Sequence, residues 1–329
     1  MTNNIQTPFF LIHKDTLDTQ LDMLNKALEN HWPNSVVGYS YKTNTLPWVI
    51  DYANRRNLFA EVVSDDEYNL GKHIGVDPDR FIYNGPIKSK ETFLEALENG
   101  SYVNIDAQRE IDWLKELKRD RAYNLGIRVN FDLEACCPGH TQCPEEGGRF
   151  GFCYENGVLA QAIREIQSLG LPVKGLHMHT STKTRALDVY KVLARKACEI
   201  AGEYQLDLSF VDIGGGFFGG MPSKPQFDDY IRQISNILQT TFVSNALVYG
   251  KFRFFREFFN CPAHNIPHFL NTGGDFGKLH HGVVRIHSDF SFQRKKIKRL
   301  VSKSFETSLE NTIPAVPLKL RLICRPFRL

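Results

Sequence analysis

Short apolar, β-branched-rich runs alternate with segments of helical period along most of this chain, and that alternation constrains its fold more than any other feature. Candidate strands are Val36–Ser40, Phe59–Val63, Phe81–Tyr83, Tyr102–Ile105, Leu125–Val129, Val173–Met178, Leu208–Ile213 and Ala246–Tyr249, with Phe9–Ile12 ahead of them. Helical patterns fill the gaps. Leu17, Leu21, Leu24 and Leu28 repeat at helical spacing behind Asp15. Ser64-Asp65-Asp66-Glu67 predicts a capping box that opens a helix directly after a strand. Asp106 is positioned to cap a helix carrying Ile111, Leu114 and Leu117. Leu159, Ile163 and Ile166 mark another helix, stopped at Gly170. Leu187 to Ile200 and Phe227 to Leu238 mark two more. Eight strands alternating with helices predict a parallel α/β fold, and the count favours a closed (β/α)₈ TIM barrel.

The 329 residues suffice for one barrel plus a smaller domain. No apolar run approaches the length of a membrane span, and the opening MTNNIQTPFF lacks the features of a secretory signal. The seven cysteines form no regular framework, so the expectation is a cytoplasmic protein with reduced thiols that touches no membrane. The net charge of +3 conceals an asymmetry: from Gly250 onward there are 15 Lys and Arg against 5 Asp and Glu. Periodicity fades at the same place. VYGKFRFFREFFNCPAHNIPHFLN follows neither strand nor helix period, and QRKKIKRLVSKS is a basic run. The break fits a genuine basic segment that touches nucleic acid or a membrane surface, or a reading frame shifted near residue 242; a selected sequence is locally consistent, so the shift is the expectation. No nucleic-acid-binding motif accompanies the basic charge, so no nucleic-acid partner is expected.

Four segments carry residue types suited to chemistry. Gly38-Tyr39-Ser40-Tyr41-Lys42-Thr43-Asn44 places a lysine at the carboxyl end of the first barrel strand. Such a lysine either joins an aldehyde as a Schiff base or is an ordinary solvated side chain. Asp212-Ile213-Gly214-Gly215-Gly216-Phe217 brings three glycines after the seventh strand, where backbone N–H groups can approach an anion; alone, it is also a flexible turn. In Gly175-Leu176-His177-Met178-His179-Thr180-Ser181-Thr182, alternation puts both histidines on one side of the strand. They suit a metal, a stack on a planar cofactor, or satisfied structural positions. Arg128 ends the fifth strand ahead of a loop with Cys136, Cys137, His140 and Cys143. That spacing lacks the usual zinc pairing, so a thiol-containing loop is expected and no metal.

Taken in order, these segments resemble the alanine-racemase-fold (fold type III) decarboxylases that use pyridoxal 5′-phosphate, a family including diaminopimelate, ornithine and arginine decarboxylases. The resemblance runs from about Thr7 to Tyr249 through Thr7-Pro8-Phe9-Phe10, Tyr41-Lys42-Thr43-Asn44, Glu61-Val62-Val63-Ser64, Tyr83-Asn84-Gly85-Pro86-Ile87-Lys88, Asn104-Ile105-Asp106, Arg128-Val129-Asn130, Arg149-Phe150-Gly151, Gly175-Leu176-His177-Met178-His179 and Asp212-Ile213-Gly214-Gly215-Gly216. It implies that Lys42 holds the cofactor as a Schiff base and that His179 stacks on the pyridine ring. It places the phosphate on Thr182, Gly214, Gly215 and Gly216, with Glu61 and Arg128 beside the ring and its lysine. The implied reaction is decarboxylation of a basic or diamino acid, diaminopimelate before ornithine, in a homodimer. A racemase on the same barrel and a non-catalytic cofactor-binding protein are the alternatives.

The likeness breaks after residue 249. The family's eighth strand ends in Glu-Pro-Gly-Arg, whose glutamate faces the pyridine nitrogen, whereas Ala246–Arg253 holds no carboxylate and Glu257 falls late. The family's carboxyl-terminal β-domain with its Cys-Asp/Glu-x-x-Asp motif has no counterpart: Cys324 lacks an acidic partner. The expected organisation is an entrance strand and helix over 1–33, a barrel over 34–249, and an aberrant basic segment over 250–329 in place of that domain.

Overall fold

The computed structural model describes residues 12–141, 150–180, 183–242 and, as backbone, 253–258. The elements below, from Asp15 onward, belong to one compact unit. Nine strands are described: β1 Ser35–Ser40, β2 Phe59–Val62, β3 Phe81–Tyr83, β4 Tyr102–Ile105, β5 Asn124–Asn130, β6 Phe152–Cys153, β7 Gly175–His177, β8 Phe210–Asp212 and β9 Arg253–Phe258. The helices are α1 Lys14–His31, α2 Pro47–Arg55, α3 Asp65–Ile74, α4 Lys90–Glu98, α5 Gln108–Trp113, α6 Leu133–Cys136, α7 Val158–Ser168, α8 Leu187–Glu203 and α9 Phe227–Phe242. Neighbouring strands run β4-β3-β2-β1-β9-β8-β7-β5, and β4 pairs β5, so eight strands close on themselves. Every pairing is parallel. The short β6 extends β5 outside this ring.

The barrel expected from the sequence is present, and seven of its strands lie within a residue or two of the expected runs. The eighth place is filled differently. Ala246–Tyr249 and Phe9–Leu11 lie outside the described residues, and the strand between β8 and β1 is Arg253–Phe258. In that register Phe255 pairs with Asp212 and Glu257 with Gly38. Glu257 therefore lies inside the closing strand rather than beyond it.

Local chemistry explains most element boundaries. In α1 the leucine stripe Leu17, Leu21, Leu24 and Leu28 is buried, each side chain contributing on the order of 2 kcal/mol. Ser64 caps α3 by accepting from the Glu67 amide at 3.3 Å. The reciprocal half of the capping box is shifted by one residue, because the Glu67 carboxylate takes the Val63 amide at 2.8 Å. Asp106 does not cap α5. The cap position is Ala107, with no side-chain bond, and the Asp106 carboxylate is engaged elsewhere. Gly170, at φ +75°, ends the chain's turn out of α7 as expected.

The interior is layered. Near the amino ends of the strands, Ile82, Tyr102 and Phe210 pack with Val36 and Phe59. The Phe210 ring lies where β5 and β7 carry glycine: a Cβ on Gly175 would meet Phe210 Cζ at 1.9 Å, and one on Gly126 would meet it at 2.9 Å. This apolar plug closes the base. The next layer toward the carboxyl ends is polar and buried, with Glu61, Asn84, Asn104, Arg128, His177 and Asp212. Chemistry is thereby confined to the carboxyl-terminal mouth. Among the described residues no helix is long and apolar enough to cross a membrane.

Candidate active site

Lys42 sits in a single 3₁₀ turn, Tyr41–Thr43, where β1 leaves the barrel. Short bonds pin this turn on both sides. Thr43 Oγ1 donates to the Ser40 carbonyl at 2.7 Å, the Asn44 amide donates to the Tyr41 carbonyl at 3.1 Å, and the Tyr39 hydroxyl donates to the Asn44 carbonyl at 3.0 Å. The lysine side chain is exposed on a fixed backbone. Its charge acts on Glu67, His177, His179 and Asp212, which places all four groups around it.

The two histidines stack, with ring centroids 6.1 Å apart and planes 18° apart, so they do share one side of the chain. Burial separates their roles. His177 lies in the floor, and both of its ring nitrogens lack hydrogen-bond partners. His179 stands above it, half-buried at the mouth. Burial, and then the positive charges of Lys42 and Arg128, hold His179 well below the usual imidazole range. His177 is lowered in the same direction, first by burial and then by Arg128. Both rings are therefore neutral at physiological pH. The Gly215 amide approaches His179 Nδ1 at 3.4 Å, which makes Nδ1 the acceptor and leaves the proton on Nε2.

The glycine triplet follows β8 and is shaped by its own strand. Asp212 Oδ1 accepts the Gly214 amide at 2.9 Å, and the Tyr190 hydroxyl donates to the Gly215 carbonyl at 2.9 Å. Gly214 has φ +72°, and a Cβ there would lie 2.3 Å from His179 Nδ1. Only glycine fits both the backbone and the approach.

Arg128 is held from two directions. Its guanidinium pairs with Asp106 at 2.9 Å and donates to the His179 carbonyl at 3.3 Å. The same Asp106 accepts the Gly151 amide at 3.0 Å, which explains its absence from the cap of α5. Behind it, Lys88 and Glu110 form a fully buried ion pair at 3.2 Å.

Of the residues expected from sequence, Lys42, Glu61, Arg128, His179, Gly214, Gly215 and Gly216 meet at this mouth. Thr182, like Arg149 and Cys143, lies outside the described residues. Sequence reasoning gave no role at the site to Asn84, Asn104 or Asp212, and read Glu67 only as part of a capping box. The available signal was one polar residue at the carboxyl end of each apolar strand, as in Phe81-Ile82-Tyr83-Asn84. Among the described residues no group of three or more His, Cys, Asp or Glu side chains is arranged to hold a metal ion.

A flat cofactor bearing a phosphate fits these residues. Ser40 Oγ, Glu61 Oε2, Asn104 Oδ1 and Arg128 Nε are buried with no partner, a concentration of unmet polar groups that costs stability unless something binds there. The triplet presents backbone without Cβ atoms, which leaves room for an anion beside it, and His179 offers a neutral ring face.

Comparison with known proteins gives the same direction. Residues 16–249 match the family model described as "Pyridoxal-dependent decarboxylase, pyridoxal binding domain". Diaminopimelate decarboxylase of Aquifex aeolicus (strain VF5) is 24% identical over 228 residues, covering 67% of this chain and 52% of that protein. Diaminopimelate decarboxylase of Staphylococcus aureus (strain COL) is 25% identical over 213 residues, covering 64% and 50%. The chain thus spans about half the length of the curated relatives it matches. Among solved structures, diaminopimelate decarboxylase from Helicobacter pylori complexed with L-lysine superposes with a TM-score of 0.63 at 21% identity, over 77% of this chain and 64% of that one. The Paramecium bursaria Chlorella virus arginine decarboxylase gives 0.61 at 17% identity, over 77% and 64%. With its barrel, its lysine-bearing mouth and a family match over most of its length, the chain belongs to the pyridoxal-dependent decarboxylases, and its cofactor is pyridoxal phosphate.

Proposed function

We propose that the chain is the cofactor-binding barrel of a decarboxylase for a basic or diamino amino acid, with diaminopimelate as first substrate and ornithine as second. The observation that carries this reading is the convergence of Lys42, His179 and the glycine triplet at one barrel mouth. In it, Lys42 holds the cofactor covalently, His179 lies on the ring, and the Gly214–Gly216 loop cradles the phosphate. Glu61 and Arg128 flank the ring, and Thr182 adds a hydroxyl to the phosphate. Bound pyridoxal phosphate supplies the electron sink for loss of CO₂. Purified full-length chain saturated with the cofactor is expected to release labelled CO₂ from diaminopimelate faster than from ornithine, arginine or lysine. Release from none of the four would overturn the decarboxylase reading and leave the second one.

That second reading, a cofactor-binding protein without turnover, is supported by residues 250–329. The family match ends at residue 249, and the segment beyond it has no Cys-Asp/Glu-x-x-Asp motif. We place its origin in a shifted reading frame near residue 242, which the nucleotide sequence there decides. For the decarboxylase reading, the assembly and setting that go with it are a homodimer in the cytoplasm.

Substitution at Gly214 tests the cradle separately from turnover. Gly214→Ala forces a left-handed backbone that costs about 1–2 kcal/mol, and it pushes His179 aside. Affinity for pyridoxal phosphate, read by quenching of intrinsic fluorescence, is expected to fall at least about tenfold. An unchanged affinity would remove the triplet from the phosphate site.

A further inference from the structure

Beneath the mouth, two carboxylates face each other across a single amide. Asn84 Nδ2 donates to Glu61 Oε1 and to Asp212 Oδ2, each at 3.2 Å. Asn104 Nδ2 lies 3.4 Å from the same Asp212 oxygen, and it also donates to Asn84 Oδ1 at 2.7 Å. Both acids are at most 1% exposed.

The charges around them do not cancel two negatives. Arg128 is matched by Asp106, and Lys88 by Glu110. His177 Nε2 is 3.9 Å from Asp212 Oδ2, too far for a hydrogen bond, and that ring is neutral. On the closing strand, Phe255 stands opposite Asp212, with Glu257 two residues further along. His179 is neutral as well, and Glu67 is committed to the Val63 amide. Among the described residues, Lys42 is the cation whose charge acts on Asp212. Two buried carboxylates near one another do not both ionise readily.

We propose that Glu61 and Asp212 hold one proton between them across the Asn84 amide, and that Asp212 is a positioning residue which sets the charge presented to Lys42. Glu61 Oε2, buried and without a partner, offers an acceptor site for that proton. Burial first, opposed by the Gly214 amide and then reinforced by the Glu61 charge, pushes Asp212 up to about 7. The pair therefore carries one negative charge below neutrality and two above it. The second charge favours the ammonium form of Lys42, which cannot attack an aldehyde. Asp212 also fixes the Gly214 amide, so one side chain ties the shape of the cradle to the charge at its lysine.

Infrared spectroscopy of the full chain, labelled with ¹³C in aspartate or glutamate carboxyls, reads the proton directly. A protonated-carboxyl band at pH 6 is expected to fade with a midpoint near pH 7 and to be absent from Asp212→Asn. Glu61→Gln removes the neighbouring charge, so the remaining band shifts its midpoint to lower pH; this variant also serves if Asp212→Asn fails to fold. The pH profile for covalent capture of pyridoxal phosphate by Lys42 should show a break near neutrality in the native chain and none in Asp212→Asn. No such band at pH 6, or one unchanged in both variants because Glu110 carries it, would overturn the proposal. Neither readout depends on CO₂ release, so the pair can fail while the decarboxylase reading stands, and the reverse.

Discussion

Lys42→Ala is expected to abolish covalent capture of pyridoxal phosphate. Borohydride treatment of the saturated native chain should add one pyridoxyl mass, located on the peptide containing Lys42, and the variant should gain none. The visible band of the bound cofactor should disappear with it. The reason is geometric. The Ser40, Tyr41 and Asn44 carbonyls lock the turn that carries Lys42, so its backbone is fixed at the rim. Lys88, a second lysine in this part of the barrel, has a side chain with no exposed surface and is committed to Glu110. It cannot replace Lys42 without unmaking the barrel wall. Residual non-covalent binding is expected to survive in Lys42→Ala, because the proposed phosphate cradle, Gly214–Gly216, is left intact. A pyridoxyl adduct at full stoichiometry elsewhere in the variant would remove Lys42 from the site.

Lys88→Met should be the most destabilising single change at the mouth. Lys88 Nζ donates to the carbonyls of Gly85 and Asn104 and to both Glu110 oxygens, so one side chain ties the β3 loop, β4 and α5 together. Burial pulls Lys88 down and Glu110 up, and their contact opposes both shifts. Methionine fills a similar volume but leaves Glu110 buried and unpaired, with two carbonyls short of a donor. Breaking such a pair from one side costs about 3–5 kcal/mol. The cost should spread to the site, since Glu110 also accepts the Asp106 amide at 2.8 Å, and Asp106 holds Arg128. Urea unfolding of the full chain measures it. The double change Lys88→Met with Glu110→Leu should recover most of the loss, because it removes the uncompensated charge along with its partner. A single variant as stable as the native chain would show that this pair does not hold the mouth together.

The sequence alone determined the layout of elements. Seven strands are visible as apolar runs because strands of a parallel barrel are buried on both faces, and helix stripes such as Leu17, Leu21, Leu24 and Leu28 stand out as regularly. The residues of the proposed site were legible for a related reason. Parallel barrels gather strand ends at one mouth, so Lys42, Arg128, His179 and the triplet could be assigned to one site by position. What the sequence did not disclose is how buried polar groups choose partners. Asp106 satisfies the local rule for a helix cap, yet Arg128, 22 residues later, sits within the same barrel end with its guanidinium buried, and that demand outweighs one amide at the start of α5. The closing strand was equally hidden. Arg253–Phe258 follows no period of its own, and its place comes from the open edges of β1 and β8, which need a partner wherever the chain supplies one. Glu61, Asn84 and Asp212 come from three separate strands, and only closure of the barrel brings them within hydrogen-bonding distance. Periodicity is a short-range property and survives in one dimension. Charge compensation acts through space, and it is fixed only when the strands meet.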